Sequence, residues 1–274
     1  MPKINVNGAD LYYELHGSGD PLILIAGFNT DSLFWRPILP LLQKHFRVLV
    51  FDHRGAGKSD CPDIPYSIEM LAQDVLKLSD LLDLKRPHVL GHSMGGCVAQ
   101  MLAYQHFELF DRFAICNSFI KFNPISTHVV KFLFHLLQEG ISLRNRIEGS
   151  LPWIFSTDFL QSPHKIEGAI NHGLKNPHPI TLTGYKRQLE ALLGFDSNEW
   201  FHQIEAPTLI INGMEDILCP YDSEKLAKRI RGAKLFNFPH MGHVPMIEEP
   251  KEFSRLVMHF FGMHDYPTFS LHQN

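Results

Sequence analysis

Cysteine is scarce in this 274-residue chain: Cys61, Cys97, Cys116 and Cys219 stand far apart and form no C-x-x-C pair. That spacing argues against a disulfide framework or a structural zinc site and predicts free thiols. A charge excess of either sign is also lacking. With 25 basic and 29 acidic residues the formal charge is -4, so no global field draws nucleic acid or an anionic membrane. Long apolar runs are missing too; the longest, such as 21–27, fall far short of the roughly 20 residues that span a bilayer. Residues 1–20 alternate polar and apolar residues without the apolar stretch of a secretory signal, and the expectation is a soluble, cytoplasmic protein. Histidine, by contrast, is plentiful at 17. His164, His172 and His178 nonetheless lie in a stretch read as loop and share no i, i+4 spacing with an acidic residue, so no metal site is expected.

What is present is a repeating pattern of buried strands and helices. Ile4, Val6, Leu11, Tyr13 and Leu15 alternate about Asn7-Gly8, a β-hairpin signal. Six short apolar runs follow, at 21–27, 47–52, 88–92, 112–118, 207–213 and 233–239. Such runs suit strands of a parallel sheet covered on both faces. Helical periodicity over 32–45 groups Leu33, Phe34, Ile38, Leu41, Leu42 and His45, and over 67–83 it groups Ile68, Leu71, Val75, Leu78 and Leu82. Further helices are expected near 222–230 and 250–261, with a loose tail from about Gly262. This alternation predicts an α/β fold with a mostly parallel sheet flanked by helices. It fails between Phe119 and Glu205, where Pro124, Pro152, Pro163, Pro177 and Pro179 punctuate helical segments. The predicted organisation is therefore a core of 1–118 and 206–274 with a helical cap, 119–205, inserted into it.

At the junction of the 88–92 strand with the next helix stands Gly91-His92-Ser93-Met94-Gly95, a G-x-S-x-G match. A hydroxyl becomes a useful nucleophile when it projects to where a base can reach it, and a tight strand-to-helix turn does this. Ser93 is the candidate nucleophile. Chemistry of this kind needs an acid and then a histidine further along the chain, on loops at the same sheet edge. Asp216, after the strand ending at Gly213, is the candidate acid, with Glu215 as its rival. His243, preceded by the turn-forming Gly242, is the candidate base in preference to His240. The backbone N–H groups of Phe28 and Met94 are the candidate oxyanion donors.

Residues 52–59, DHRGAGKS, nearly spell a phosphate-binding loop. Asp52 occupies the position where that motif requires glycine, so nucleotide binding is not expected. Asp52, Arg54 and Lys58 are read instead as groups that knit a loop. G-x-G-x-x-G is absent, and no dinucleotide cofactor is implied.

With AGFNTD (26–31), FDHRGAGKSD (51–60), GHSMGG (91–96), NGMEDILCP (212–220) and GHVPMIEEP (242–250) placed, the chain resembles the α/β-hydrolase superfamily over nearly all of residues 1–262. The resemblance implies Ser93, Asp216 and His243 as a catalytic triad, Phe28 and Met94 as oxyanion donors, and no cofactor. Ala26 departs from the pattern, since many relatives carry histidine before the glycine, and this leaves the anchor of the oxyanion loop undefined. Within the superfamily the chain is similar to small-cap esterases and lactonases, including pimeloyl-acyl-carrier-protein methyl ester esterases and 3-oxoadipate enol-lactonases. That likeness implies a carboxylic ester or lactone as substrate. A ligand sensor on the same fold, with an unused triad, stays open as an alternative. Trp153, Phe155 and Phe159 are candidates to line an acyl pocket. Lys121, Lys131, Arg144 and Arg146, against the single acid Glu139, are candidates to meet an acidic carrier protein.

Overall fold

Asn7 and Gly8 both hold a positive φ, +48° and +80°, which is the geometry of a two-residue hairpin turn. They join β1 (Lys3–Val6) to β2 (Ala9–His16), with Val6 opposite Ala9. The hairpin belongs to a computed structural model that describes residues 2–220, 222–263 and 272–273. Most of the predicted tail, 264–271, lies outside the described residues.

All six predicted apolar runs are strands: β3 (Asp20–Ile25), β4 (Phe46–Phe51), β5 (His88–His92), β6 (Phe113–Cys116), β7 (Thr208–Gly213) and β8 (Lys234–Phe238). The two-residue β9 (His272–Gln273) completes a sheet ordered β1-β2-β4-β3-β5-β6-β7-β8-β9. Strands β3 to β8 pair in parallel, while β2 joins β4 and β9 joins β8 antiparallel. The helices before the long connection are α1 (Leu39–Leu42), α2 (Ile68–Leu81) and α3 (Met94–Gln105). Between β6 and β7 come α4 (Pro124–Gln138), α5 (Leu143–Ile154), α6 (Thr157–Leu160), α7 (Pro163–Leu174) and α8 (Leu182–Gly194). The remainder are α9 (Asp222–Arg229), α10 (Pro245–Glu248) and α11 (Pro250–Phe260). No helix among the described residues is long and apolar enough to cross a membrane.

The strands are apolar throughout because side chains alternate between two covered faces. Ile23, Ile25, Leu49, Phe51 and Val89 share a core with Leu71, Val75 and Leu78 of α2 and Leu102 of α3. Leu22, Leu24, Val48, Val50 and Leu90 share the other with Leu42 of α1 and Phe253, Leu256 and Val257 of α11. The 67–83 helix forms as expected, its start capped by Ser67, whose Oγ accepts from Met70 N–H.

The helix expected over 32–45 does not form as one piece. A 3-10 turn spans Ser32–Trp35 and α1 only Leu39–Leu42. Pro37 and Pro40 explain the break, since each lacks the N–H that a continuous helix would use. The buried anchors there are Trp35, Ile38 and Leu42, not the six-residue face predicted. The prolines of the long insertion act differently: Pro124 and Pro163 open α4 and α7 at the first helical position. Consequently His164 and His172, read as loop residues, lie in α7.

Candidate active site

The carboxyl ends of β3, β5, β7 and β8 reach one edge of the sheet at matching levels, with Ile25 beside Gly91 and Gly213 beside Phe238. The loops leaving those ends carry every candidate site residue of the core. Ser93 sits between β5 and α3 at φ +54° and ψ -118°, a conformation that L-residues rarely adopt. The turn is this tight because no side chain intervenes. A Cβ on Gly91 would lie 2.2 Å from the carbonyl oxygen of Gly95, and one on Gly95 would lie 2.1 Å from that of Ile25. Ser118 Oγ donates to the Ser93 carbonyl at 2.9 Å and braces the turn from beneath. Met94 opens α3, so its N–H is among those a helix leaves without an internal acceptor.

His243 Nδ1–H donates to Asp216 Oδ2 at 2.7 Å, and both side chains are buried. The other carboxylate oxygen, Oδ1, accepts from the N–H groups of Leu218 at 2.8 Å and Cys219 at 3.0 Å, which fixes the direction of the acid. Glu215 is engaged elsewhere, accepting from Thr157 N–H at 2.7 Å; that bond holds its carboxyl below the ordinary range. His240 is exposed.

Three side chains that the sequence did not single out hold these loops. Asn117, at the end of β6, accepts from Gly213 N–H at 2.9 Å and donates to the Gly242 carbonyl at 2.8 Å. His92 donates from Nε2 to the carbonyl of His243 at 2.8 Å and stacks on Phe34. Burial, with the neighbouring His243 adding to it, drives the His92 pKa well down and keeps that ring neutral. Glu248 accepts from Gly242 N–H at 2.8 Å and also from Ser156 Oγ, at the start of α6.

The loop after β3 is anchored from the insertion. Gln188 of α8 accepts from Asn29 N–H at 3.2 Å and donates to the Arg54 carbonyl at 3.1 Å. It is fully buried. Beside it the Phe28 ring packs edge-on against Tyr185 of α8 with centroids 4.6 Å apart. A Cβ on Gly184 would lie 2.0 Å from the Gly55 carbonyl oxygen, so α8 rests directly on the loop after β4.

Ser93, His243 and Phe28 border one cavity of about 510 Å³ beneath the inserted helices. Trp153, Phe155 and Phe159 line it too, the last two stacked with centroids 3.9 Å apart. The carboxyl of Asp216, the thiol of Cys219 and the ring of His243 place ligand-type atoms within 4.8 Å of one another. Their chemistry does not suit a metal. Burial pushes the Cys219 thiol well up, and the carboxylate's two oxygens are already engaged.

In the loop at 52–59 a carboxylate, that of Asp52, takes up the Lys58 N–H that a phosphate would need. That carboxylate accepts from Ser32 N–H at 2.7 Å and Lys58 N–H at 2.8 Å. Arg54 does not knit this loop as expected. It forms a buried two-pronged pair with Asp74 of α2, at 2.6 and 2.7 Å. Of the four basic residues suggested for a carrier protein, Lys121 pairs with Asp196 and Arg144 with Glu167, each at 2.8 Å. Arg146 donates to the Ile141 carbonyl, and Lys131 is exposed.

A parallel sheet whose strand exits deliver a serine elbow, an acid and a histidine to one edge defines an α/β-hydrolase fold. The chain belongs to that family, whose profile, described as alpha/beta hydrolase fold, matches residues 20–250. It is 30% identical over 260 residues to a candidate carbamate hydrolase, RutD, of Caulobacter sp. (strain K31), covering 91% of this chain and 95% of that one. Among solved structures, the enol-lactonase from Burkholderia xenovorans LB400 superposes with a TM-score of 0.84 at 30% identity, covering 95% of this chain and 99% of that chain. A thermophilic esterase from Thermogutta terrifontis shares the fold with a TM-score of 0.83 at 23% identity, over 95% and 98% of the two chains.

Proposed function

We propose that this chain is a serine hydrolase that cleaves carboxylic esters through an acyl-enzyme on Ser93. The observation that carries the reading is the 2.7 Å contact between His243 Nδ1 and Asp216 Oδ2, made at the wall of a cavity that Ser93 also lines. In this mechanism His243 Nε2 takes the proton from Ser93 Oγ as the oxygen attacks the ester carbonyl. Asp216 holds the imidazole in the tautomer whose Nε2 is free to accept, and stabilises the imidazolium that forms. The N–H groups of Phe28 and Met94 receive the oxyanion; deleting one such donor typically costs roughly 3 kcal/mol of transition-state stabilisation. His243 then returns its proton to the leaving alcohol and activates water, which releases the acid. Residues 119–205 act as a cap over the site, with Trp153, Phe155 and Phe159 in the acyl pocket.

A lactone is an internal ester and would open by the same steps; the 30% identical enol-lactonase supports that as a second reading. The carbamate carbonyl suggested by the name of the RutD relative is open to the same attack. Carrier-protein recognition is weakened by the ion pairs of Lys121 and Arg144, since docking would have to displace Asp196 and Glu167. The test is pre-steady-state release of p-nitrophenol from short p-nitrophenyl esters. Ser93→Ala abolishes the burst and labelling by a fluorophosphonate. Undiminished turnover by that variant removes Ser93 from the mechanism, and labelling of the wild type without turnover of any ester favours a ligand sensor.

A further inference from the structure

We infer that the Ser93 cavity takes an uncharged, mainly apolar acyl group and rejects an acyl group of the same length that ends in a carboxylate. This rests on the esterase reading above and narrows its substrate class. Pockets of roughly 300–1,000 Å³ enclose most of a small organic ligand, and the 510 Å³ here falls within that range. Its far walls come from the inserted helices: Val129 and Leu133 of α4, Ile147 and Leu151 of α5, then Phe155 and Phe159. Among the described residues no lysine or arginine lines it. The nearby guanidinium groups are engaged elsewhere, Arg144 with Glu167 and Arg146 with the Ile141 carbonyl.

The titratable groups that do face the cavity offer an anion no fixed partner. They are Asp31, His92, His172, Tyr185, whose hydroxyl donates to the Val130 carbonyl at 2.8 Å, and His243. Asp31 is buried, held by Leu33 N–H at 2.9 Å on one oxygen and by Asn176 Nδ2 at 2.7 Å on the other. As a carboxylate it would repel another. His92 is kept neutral by burial, His243 is committed to Asp216, and His172 is exposed. An acyl chain ending in a carboxylate would therefore lose its hydration against apolar walls with no cation in exchange. The same reasoning disfavours a lactone that keeps a free carboxylate, such as the 3-oxoadipate enol-lactone considered from the sequence. A neutral chain gains from the same walls in proportion to the apolar area it buries.

The experiment compares kcat/KM for p-nitrophenyl octanoate and the mono-p-nitrophenyl ester of suberic acid, equal in chain length and differing only in a terminal methyl or carboxylate. p-Nitrophenyl acetate and fluorophosphonate labelling are run alongside. Octanoate is expected to exceed the suberate monoester by about 100-fold or more at pH 7. Equal rates, a preference for suberate, or turnover of acetate alone overturns the inference while leaving the esterase reading intact. If none of the three esters is cleaved and Ser93 resists labelling, the esterase reading fails and the inference falls with it.

Discussion

Asn117 Nδ2 donates to the carbonyl of Gly242 at 2.8 Å, across 125 residues of sequence. The oxygen of the same amide accepts from Gly213 N–H at 2.9 Å. One buried side chain at the end of β6 thus ties the root of the loop carrying Asp216 to the residue preceding His243. Asn117→Ala leaves a donor and an acceptor unpaired, and it forces alanine into a φ of +45°. The expected outcome is a loss of about 1–3 kcal/mol of stability by denaturant unfolding. The fall in kcat should be at least about tenfold, because the acid and base loops lose their common tether.

Gln188→Leu tests the anchor of the loop to which the proposed mechanism gives the oxyanion. The variant keeps bulk but removes both the acceptor for Asn29 N–H and the donor to the Arg54 carbonyl. If the loop shifts, the Phe28 N–H moves away from the developing oxyanion while the apolar pocket stays. The acylation rate should drop by about tenfold or more with KM little changed, read from the burst phase.

Asp216→Asn separates the acid from its rival. Asparagine at that position still fills the space but favours the wrong imidazole tautomer, and kcat should fall by about 10⁴-fold. Glu215→Gln should leave kcat near the wild-type value, because Glu215 answers to Thr157 N–H instead. A severe loss in Glu215→Gln with a mild one in Asp216→Asn would exchange the two assignments.

Stability should depend on pH through His53. Burial lowers its pKa from 6.5 to about 4, with the Arg54 charge pushing the same way and the Ala26 backbone opposing. Between those values the unfolded chain takes up a proton that the folded chain refuses. The stability contributed by the neutral ring is therefore complete above about pH 6.5 and is lost as pH falls toward 4. The slope is about 1.4 kcal/mol per pH unit, accumulating to about 3 kcal/mol. His92, lowered in the same direction, adds to the trend. Urea unfolding at pH 7 and pH 5 should show this loss in the wild type and a smaller one in His53→Leu.

The strands were legible because burial on both faces leaves a continuous apolar run, a local signal that needs no knowledge of the partner strand. The serine elbow was legible because its motif is local: Gly91 meets Gly95 within the same turn, although Gly95 also packs on Ile25 of β3, far away in sequence. The 32–45 segment misled because its apolar spacing fits a helix while Pro37 and Pro40 forbid one. Arg54 misled because its partner, Asp74, lies 20 residues away on α2. Asn117 and Gln188 carry no motif at all, and Glu248, though inside the 242–250 stretch, gives no sign of its partners. Asn117 and Gln188 act on backbone atoms, so the sequence of the partner holds no trace of the contact, while Glu248 also pairs with the Ser156 hydroxyl, which is distant in sequence.

The helices between β6 and β7 do more than line the cavity. Among them, α5 ends at Ile154, whose carbonyl receives the N–H of His243 at 2.7 Å, while Gln188 of α8 holds the N–H of Asn29, the residue after Phe28. The machinery is thus a shared arch, with one foot in the sheet and the other in residues 119–205, and trimming the upper half would not leave a more open hydrolase behind. Any graft meant to redirect this fold toward new acyl groups would have to retain the turn at 154–156 and the amide at 188 as keystones.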